Sequence, residues 1–361
     1  MTTTTAIPGR LGSGVFFRRL GPEPPGSQRK PLAVLRAIAL LAPLLVLLGT
    51  SGCMSSGPKP IAVHPGYSQG QTEAGSRQGE KLTLVTYNIW GLPPWINFAS
   101  SRRYLRIARE LERLNADLVL LQEVWTKKAL EAVPADGKWA VAAARPVCFF
   151  RRNGLVVLSR FPILSGEFHP FSAAALPDAL VTKGALKVTI ELADKRRLNI
   201  WNVHLQDGHS YKTRTRQITE LLGWIRAAAD GQFADLIGGD FNCTPDSAQY
   251  RQLSRALGPE VQELKSPEHF ITYDGLSANP RRARTLDYVF IRCGPQVGEI
   301  SASPSAAFTA SRRRQRLSDH LGIEVLLSLG LAPSDLTQRP FGSFAKSQAA
   351  LPQPSGSANR N

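Results

Sequence analysis

Polar residues of chemically useful type stand at the ends of apolar runs along this chain. They are Asn88 in "TYNIWG", Glu123 in "LLQEVW", His204 in "IWNVHLQDG", Asp240 and Asn242 in "GGDFN", Asp287 in "RTLDYVF", and Asp319 and His320 in "LSDHLG". Glu123 and Asn88 are hard oxygen ligands of the kind that hold Mg²⁺ through one or two carboxylates while it keeps waters and substrate phosphate. A histidine next to a carboxylate suits general-base work near neutral pH. Each residue alone has a plainer account. Asn88 could close a turn, Glu123 could start a helix, and Asp240 and Asn242 after two glycines could be turn chemistry. The ordered set at run ends is what points to a site.

The elements that must position these residues are readable from periodicity. "KLTLVTYNI" (81–89) alternates like a half-buried strand, and "DLVLLQEV" (117–124) is a short apolar run of the kind buried on both faces. Between them, 101–116 places Leu105, Ala108, Leu111 and Leu114 on one helical face, with charges opposite. Further strands read at 154–160, 184–192, 197–205, 234–239, 285–292 and 321–328, and a second amphipathic helix at 212–228. Many strands with few helices predict a sheet-rich α+β or α/β sandwich.

The ordered motifs "TYNIWG", "LQEVW", "NVHLQ", "GGDFN", "LDYVF" and "SDH" resemble the endonuclease/exonuclease/phosphatase superfamily. The resemblance covers essentially all of 80–330. It implies the deoxyribonuclease-I-like fold, a four-layer α/β/β/α sandwich of two packed mixed sheets, and cleavage of phosphoester bonds with Mg²⁺ or with another divalent cation such as Mn²⁺ or Co²⁺. Carried over by motif, Glu123 resembles the magnesium-binding glutamate, with Asn88 and Asp319 beside metal or phosphate. Asp240 and Asn242 match the pair that positions the attacking water and holds phosphoryl oxygens. His320 matches the essential histidine, here expected to take the water's proton with Asp240 as the alternative, and Asp287 matches the acid that orients it. His204 matches a histidine near the phosphate or leaving group, although Val203 replaces the usual threonine.

Within the superfamily, "NGLVVLSRFPI", "VTKGALKVTIEL" and "IWGLPPW" are similar to segments of neutral sphingomyelinases and bacterial sphingomyelinase-type phospholipases C. That implies hydrolysis of a phospholipid headgroup bond, sphingomyelin to ceramide and phosphocholine, with a membrane as partner and the enzyme a monomer. Lys183 is then a phosphate-contacting or site-edge lysine. An exported endonuclease acting on nucleic acid, or an inositol phosphate or phosphoinositide phosphatase, remain the alternatives, and an inactive binding module is a third class. The loop between "FITYDG" and "TLDYVF" is short and arginine-rich, where secreted bacterial sphingomyelinases carry a longer apolar hairpin. Trp90, Trp95, Ile96, Phe98, Phe149 and Phe150 are candidates for interfacial contact or for packing.

The formal net charge is +16, with 44 Lys and Arg against 28 Asp and Glu. Such an excess favours polyanions or anionic surfaces. Two basic runs adjoin catalytic motifs: Arg281, Arg282 and Arg284 before Asp287, and Arg312, Arg313, Arg314 and Arg316 before His320. Arg316 is the candidate substrate-binding arginine of that rim. Both an anionic membrane and a nucleic-acid backbone fit it.

The ends of the chain read differently. Residues 1–53 hold Arg29, Lys30 and Arg36 before an apolar run from Ala37 to Gly49, then "TSGC". This resembles a bacterial lipoprotein signal ending at Cys53 and predicts export, as an anchored lipoprotein or a secreted protein. Residues 54–79 read as a flexible Gly/Ser/Pro tether and 331–361 as a disordered tail, leaving 80–330 as one catalytic domain. The four cysteines, Cys53, Cys148, Cys243 and Cys293, lack the spacing of a structural zinc site.

Overall fold

A computed structural model of the chain describes residues 57–64, 80–92, 102–134, 137–144, 153–208, 210–229, 233–258, 261–264, 271–276, 283–292, 297–308 and 316–331. The leader, most of the tether, the tail, and Arg281, Arg282, Arg312, Arg313 and Arg314 lie outside the described residues, as do Trp95, Ile96, Phe98, Cys148, Phe149, Phe150 and Cys293.

Two βαβ units build the centre. Strand β2 (Glu80–Asn88), helix α1 (Arg102–Leu114) and β3 (Leu118–Gln122) form one, with β2 and β3 parallel. Strand β8 (Arg197–His204), helix α2 (Tyr211–Ala228) and β9 (Ala234–Asp240) form the other, again parallel. The remaining pairings are antiparallel. They involve β1 (Lys59–His64), β4 (Ala140–Ala144), β5 (Val156–Ser159), β6 (Ile163–Pro170), β7 (Gly184–Glu191), β10 (Val261–Glu263), β11 (Asp287–Arg292), β12 (Val297–Ala307) and β13 (Gly322–Leu331). One sheet runs β10-β11-β9-β8-β7-β6 and the other β4-β5-β3-β2-β13-β12, with β1 pairing to β6 of the first and β4 of the second.

Period-two alternation explains the layers. Leu82 and Leu84 of β2, Leu118 and Leu120 of β3, and Leu198 and Ile200 of β8 point into the core between the sheets. Their neighbours Val85, Tyr87, Val119 and Leu121 face α1, and Trp201 and Val203 face α2 and helix α3 (Ala248–Ala256). Of these strands only β3, "LVLLQ", reads as an unbroken apolar run of the kind buried on both faces, whereas β2 and β8 bury polar Thr86, Asn199 and Asn202 as well. The result is the expected four-layer α/β/β/α sandwich.

Two expectations change. The buried face of α1 is Tyr104, Ile107, Ala108 and Leu111, together with Arg103, whereas Leu105 is 47% exposed. The sequence admits two overlapping apolar stripes, and the larger aromatic one wins the core. Within the predicted tether, Lys59–His64 forms β1, the strand that joins the two sheets. Its "KPIAVH" is too short and too close to Gly and Pro to stand out by periodicity. Among the described residues no helix is long and apolar enough to cross a membrane.

The topology gathers the chemistry. Parallel strands β2, β3, β8 and β9 end at the same edge where antiparallel β7, β11 and β13 begin. Register shows it: Asn88 lies opposite Gln122, His204 opposite both Asp240 and Gly184, and Asp287 opposite Asp240.

Candidate active site

Beneath that edge the two sheets are tied by a buried amide pair. Gln122 donates to the Asn202 Oδ1 (2.8 Å) and to Thr86 Oγ1 (3.1 Å), while Asn202 donates to the carbonyls of Leu121 and Val156 (both 2.9 Å). Both side chains are fully buried, so each bond substitutes for one otherwise made to water. The lock sets the spacing between β3 and β8, and hence between Glu123 and His204.

Glu123 leaves β3 in the left-handed region (φ 60°), and Asn242 follows β9 the same way (φ 50°). Such strain at non-glycine residues gathers at functional sites. The turn after β2 approaches Glu123 so closely that a Cβ at Gly91 would collide with the Glu123 carbonyl. At Gly239 (φ 141°) a Cβ would strike the Val203 backbone, so only glycine lets β9 bring Asp240 beside His204.

The side chains then meet. Asn88 Nδ2 donates to Glu123 Oε1 (3.1 Å) and to Asp240 Oδ2 (3.0 Å). Asp240 Oδ1 accepts the Asn242 backbone N–H (2.9 Å). His320 Nδ1 is 2.9 Å from Asp287 Oδ2, its Nε2 is 3.7 Å from Asp240 Oδ2, and the His204 Nε2 is 3.6 Å from that same oxygen. The Tyr273 ring packs edge-on to His320 with centroids 4.9 Å apart. Ser318 Oγ donates to the Asn88 carbonyl (2.7 Å) and accepts the His320 N–H (3.2 Å), stitching the last motif to the first.

Electrostatics divide the site in two. Burial, and then the charge of Asp319, push the Glu123 carboxyl up to about 7, while burial also raises Asp319. Glu123 Oε2 is buried with no hydrogen-bond partner. Two half-buried carboxylates that repel each other, one of them with an orphaned oxygen, form a donor set that a hard divalent cation satisfies. Asp240, Asp287 and His320 also offer ligand atoms within 4.8 Å of one another. There the His320 Nδ1 is committed to Asp287, so that trio is better suited to handling a proton.

Burial, and then the charge of Asp287, push Asp240 up to about 7. Burial opposes the charge on His320, but Asp287 and Asp240 outweigh it and hold its pKa well above the ordinary value. Burial, reinforced by Lys183 and His320, holds His204 well below its ordinary value, and both of its ring nitrogens lack hydrogen-bond partners. A neutral buried imidazole beside an imidazolium–carboxylate pair can offer a hydrogen bond to an incoming oxygen.

Three predicted residues are engaged otherwise. Lys183 is buried at this edge, where its Nζ donates to the Leu205 carbonyl (2.8 Å) and pairs with Asp178 (2.7 Å). Asn242 Nδ2 donates to the same carbonyl (3.0 Å). Arg316 is paired with Asp274, whose N–H reaches the Asp319 carbonyl (3.2 Å). In this arrangement Arg316 braces the Asp319 loop. Arg284 contributes backbone pairing with Tyr273, and Cys243 is a free, buried thiol.

Sequence reasoning missed Arg103. Its guanidinium donates to the carbonyls of Ile89 and Leu317 (both 2.5 Å) and of Trp90 (2.9 Å), clamping the segments that carry Asn88 and Asp319. On a helix full of charge it looked like one more solvated arginine. The available signal was its position four residues before Ile107 on the face that α1 buries.

The family model for the endonuclease/exonuclease/phosphatase family matches residues 85–320, from β2 through His320. The chain belongs to that family. Among curated relatives, a Drosophila melanogaster protein named as a neutral sphingomyelinase is 27% identical over 69% of this chain and 61% of its own length. This chain thus matches about three fifths of that protein. A Schizosaccharomyces pombe inositol phosphosphingolipids phospholipase C is 25% identical over 70% of each. Among solved structures, a Staphylococcus aureus beta toxin variant with bound magnesium ions superposes with a TM-score of 0.55, at 18% identity over 68% of this chain and 99% of the other. The two chains share the sandwich fold.

Proposed function

We propose that the chain is a magnesium-dependent phosphodiesterase that hydrolyses a phospholipid headgroup bond, sphingomyelin to ceramide and phosphocholine, by in-line attack of water. What carries the substrate reading is the pair of relatives named for sphingolipid headgroup cleavage, each matching over about two thirds of this chain or more. Family membership alone leaves endonuclease and phosphatase chemistry open.

In this reading Glu123, with Asn88 and Asp319 beside it, would hold the cation. When bound, the cation would polarise a phosphoryl oxygen and, as a like charge, disfavour the protonated form of His320. Asp287 fixes the His320 ring through Nδ1, which leaves Nε2 to take the proton of the attacking water. Asp240 lies within 3.7 Å of that nitrogen and is itself held by Asn88 and Asn242, so it positions the water. Neutral His204 can hydrogen-bond the leaving or phosphoryl oxygen, and the ceramide oxygen departs with a proton taken from solvent water. Export, with lipid on Cys53, would bring such an enzyme to a membrane, and the leader sequence supports that part of the proposal.

The test offers purified protein three substrates with Mg²⁺ or EDTA: sphingomyelin micelles, phosphatidylinositol micelles and plasmid DNA. Metal-dependent release of phosphocholine supports the proposal. Nicked plasmid with unchanged lipids would replace it with the nuclease reading, and hydrolysis of the inositol lipid alone with an anionic-headgroup enzyme.

A further inference from the structure

The loop that joins β6 to β7, residues 171–183, carries an exposed apolar tip above polar anchoring contacts. Phe171 at its start is buried against Trp224, and the rest of its backbone is held by polar partners. Glu220 of α2 accepts from Ser172 N–H (2.8 Å) and Oγ (2.6 Å), Gln217 Nε2 donates to the Ala173 carbonyl (2.7 Å), and Gln206 Oε1 accepts from Ala175 N–H (2.9 Å). Gln206 and Gln217 are fully buried and bonded to each other (2.7 Å), and buried Arg214 grips the Gln206 carbonyl (2.5 Å). Asp178 closes the loop's far end on Lys183 and on the Asp207 N–H (both 2.7 Å).

Its tip is apolar. Ala174, Leu176 and Pro177 are exposed, Leu176 by 58%. Tyr211, which opens α2 just beyond the anchoring segment, is 52% exposed. Single exposed apolar residues need no explanation. A group of them whose backbone is pinned by the buried amides of Gln206 and Gln217 is different, because its shape is fixed while its apolar side chains face solvent.

Location and charge identify what covers this tip. The loop leads into Gly184, which lies opposite His204 in the ladder, so the tip belongs to the catalytic edge. Lys212 and Arg216 are exposed on the adjoining helix; of the described acids beside them, Asp207 is exposed with its carboxylate on the Gly208 N–H (2.5 Å), and Glu220 is half-buried on Ser172. Three or four side chains are too few for a stable protein interface, which needs roughly 800 Å² per partner. They suffice for shallow insertion beside anionic headgroups.

We propose that Ala174, Leu176, Pro177 and Tyr211 form a docking tip that enters the headgroup–acyl boundary of a phospholipid surface, with Lys212 and Arg216 over its phosphates, and so seats the catalytic edge on the membrane. The inference rests on the lipid reading above.

Sedimentation of the full chain with phosphatidylcholine/phosphatidylserine vesicles in EDTA measures docking without turnover. Sphingomyelin hydrolysis in detergent micelles with Mg²⁺ measures the site without a bilayer. Leu176→Glu should lower vesicle binding about tenfold, Tyr211→Ser should lower it in the same direction, and both should leave micelle hydrolysis at the wild-type level. Lys212→Ala with Arg216→Ala should remove the part of binding that depends on phosphatidylserine. Wild-type binding by Leu176→Glu overturns the docking tip whatever the micelles show, and so does an equal loss on vesicles and micelles, which would make the tip part of the site. Vesicle binding through Leu176 without any sphingomyelin hydrolysis leaves the tip standing and removes the substrate reading.

Discussion

His320 Nδ1 lies 2.9 Å from Asp287 Oδ2, and the two residues reach this distance from different strand boundaries: Asp287 opens β11 and His320 precedes β13. Thr272 supports the pair from behind, its Oγ1 accepting the Asp287 N–H (3.1 Å). Because Asp287 fixes ring and proton together, Asp287→Asn should lower kcat on a soluble phosphodiester by about a hundredfold or more, and His320→Ala by at least as much. The double variant should be little worse than His320→Ala, since the residues act as one unit. Additive losses would show that they act separately.

Arg103 bonds three carbonyls with one guanidinium. Lysine keeps the charge but has no planar fork. Arg103→Lys should therefore lower Mn²⁺ affinity, read by electron paramagnetic resonance, by about tenfold, the scale of losses from removing partners that orient metal ligands. A lower melting temperature with unchanged metal affinity would assign Arg103 to stability alone.

Asn202→Leu should destabilise the fold by about 2–4 kcal/mol, because Gln122 and the carbonyls of Leu121 and Val156 lose buried partners. Urea unfolding measures this. A cost near zero would mean that the inter-sheet amide lock is dispensable.

Glu123 and Asp240 both have folded-state pKa values raised to about 7. A carboxyl raised in this way stabilises the fold fully below its unfolded pKa and loses that contribution as pH climbs through the folded value. Metal-free protein should therefore lose melting temperature between about pH 4 and pH 7. Mg²⁺ should restore it near neutrality and do little near pH 4, where the ligands are protonated. Glu123→Gln should flatten the slope and abolish most of the Mg²⁺ gain. A Mg²⁺ gain preserved in Glu123→Gln would move the cation to Asp240 and Asp287.

Strand ends were legible because apolar runs buried on both faces stop abruptly at polar residues, as at Asn88, Glu123, His204 and Asp240. The partners of those residues were not. Arg103 and Leu105 show why: the helical period admits two adjacent faces, and only packing against β2 and β3 chooses Tyr104 and Ile107. Strand β12, with Pro304 among small residues, and helix α3, polar over most of "AQYRQLSRA", carry no periodic signal. The commitment of Arg316 to Asp274 and of Lys183 to Asp178 depends on contacts between loops, which spacing along the chain does not encode. The anchoring of residues 171–183 was hidden likewise, because "SAAALP" reads as a plain loop until Gln206 and Gln217 are seen beneath it.

The central claim is tested most directly by phosphorus NMR of the products formed from sphingomyelin in heavy-oxygen water with Mg²⁺. The account predicts phosphocholine carrying one solvent oxygen on phosphorus, unlabelled ceramide, and no reaction in EDTA or with His320→Ala. Label in the ceramide hydroxyl, or intact sphingomyelin under conditions where DNA is cut, would contradict it.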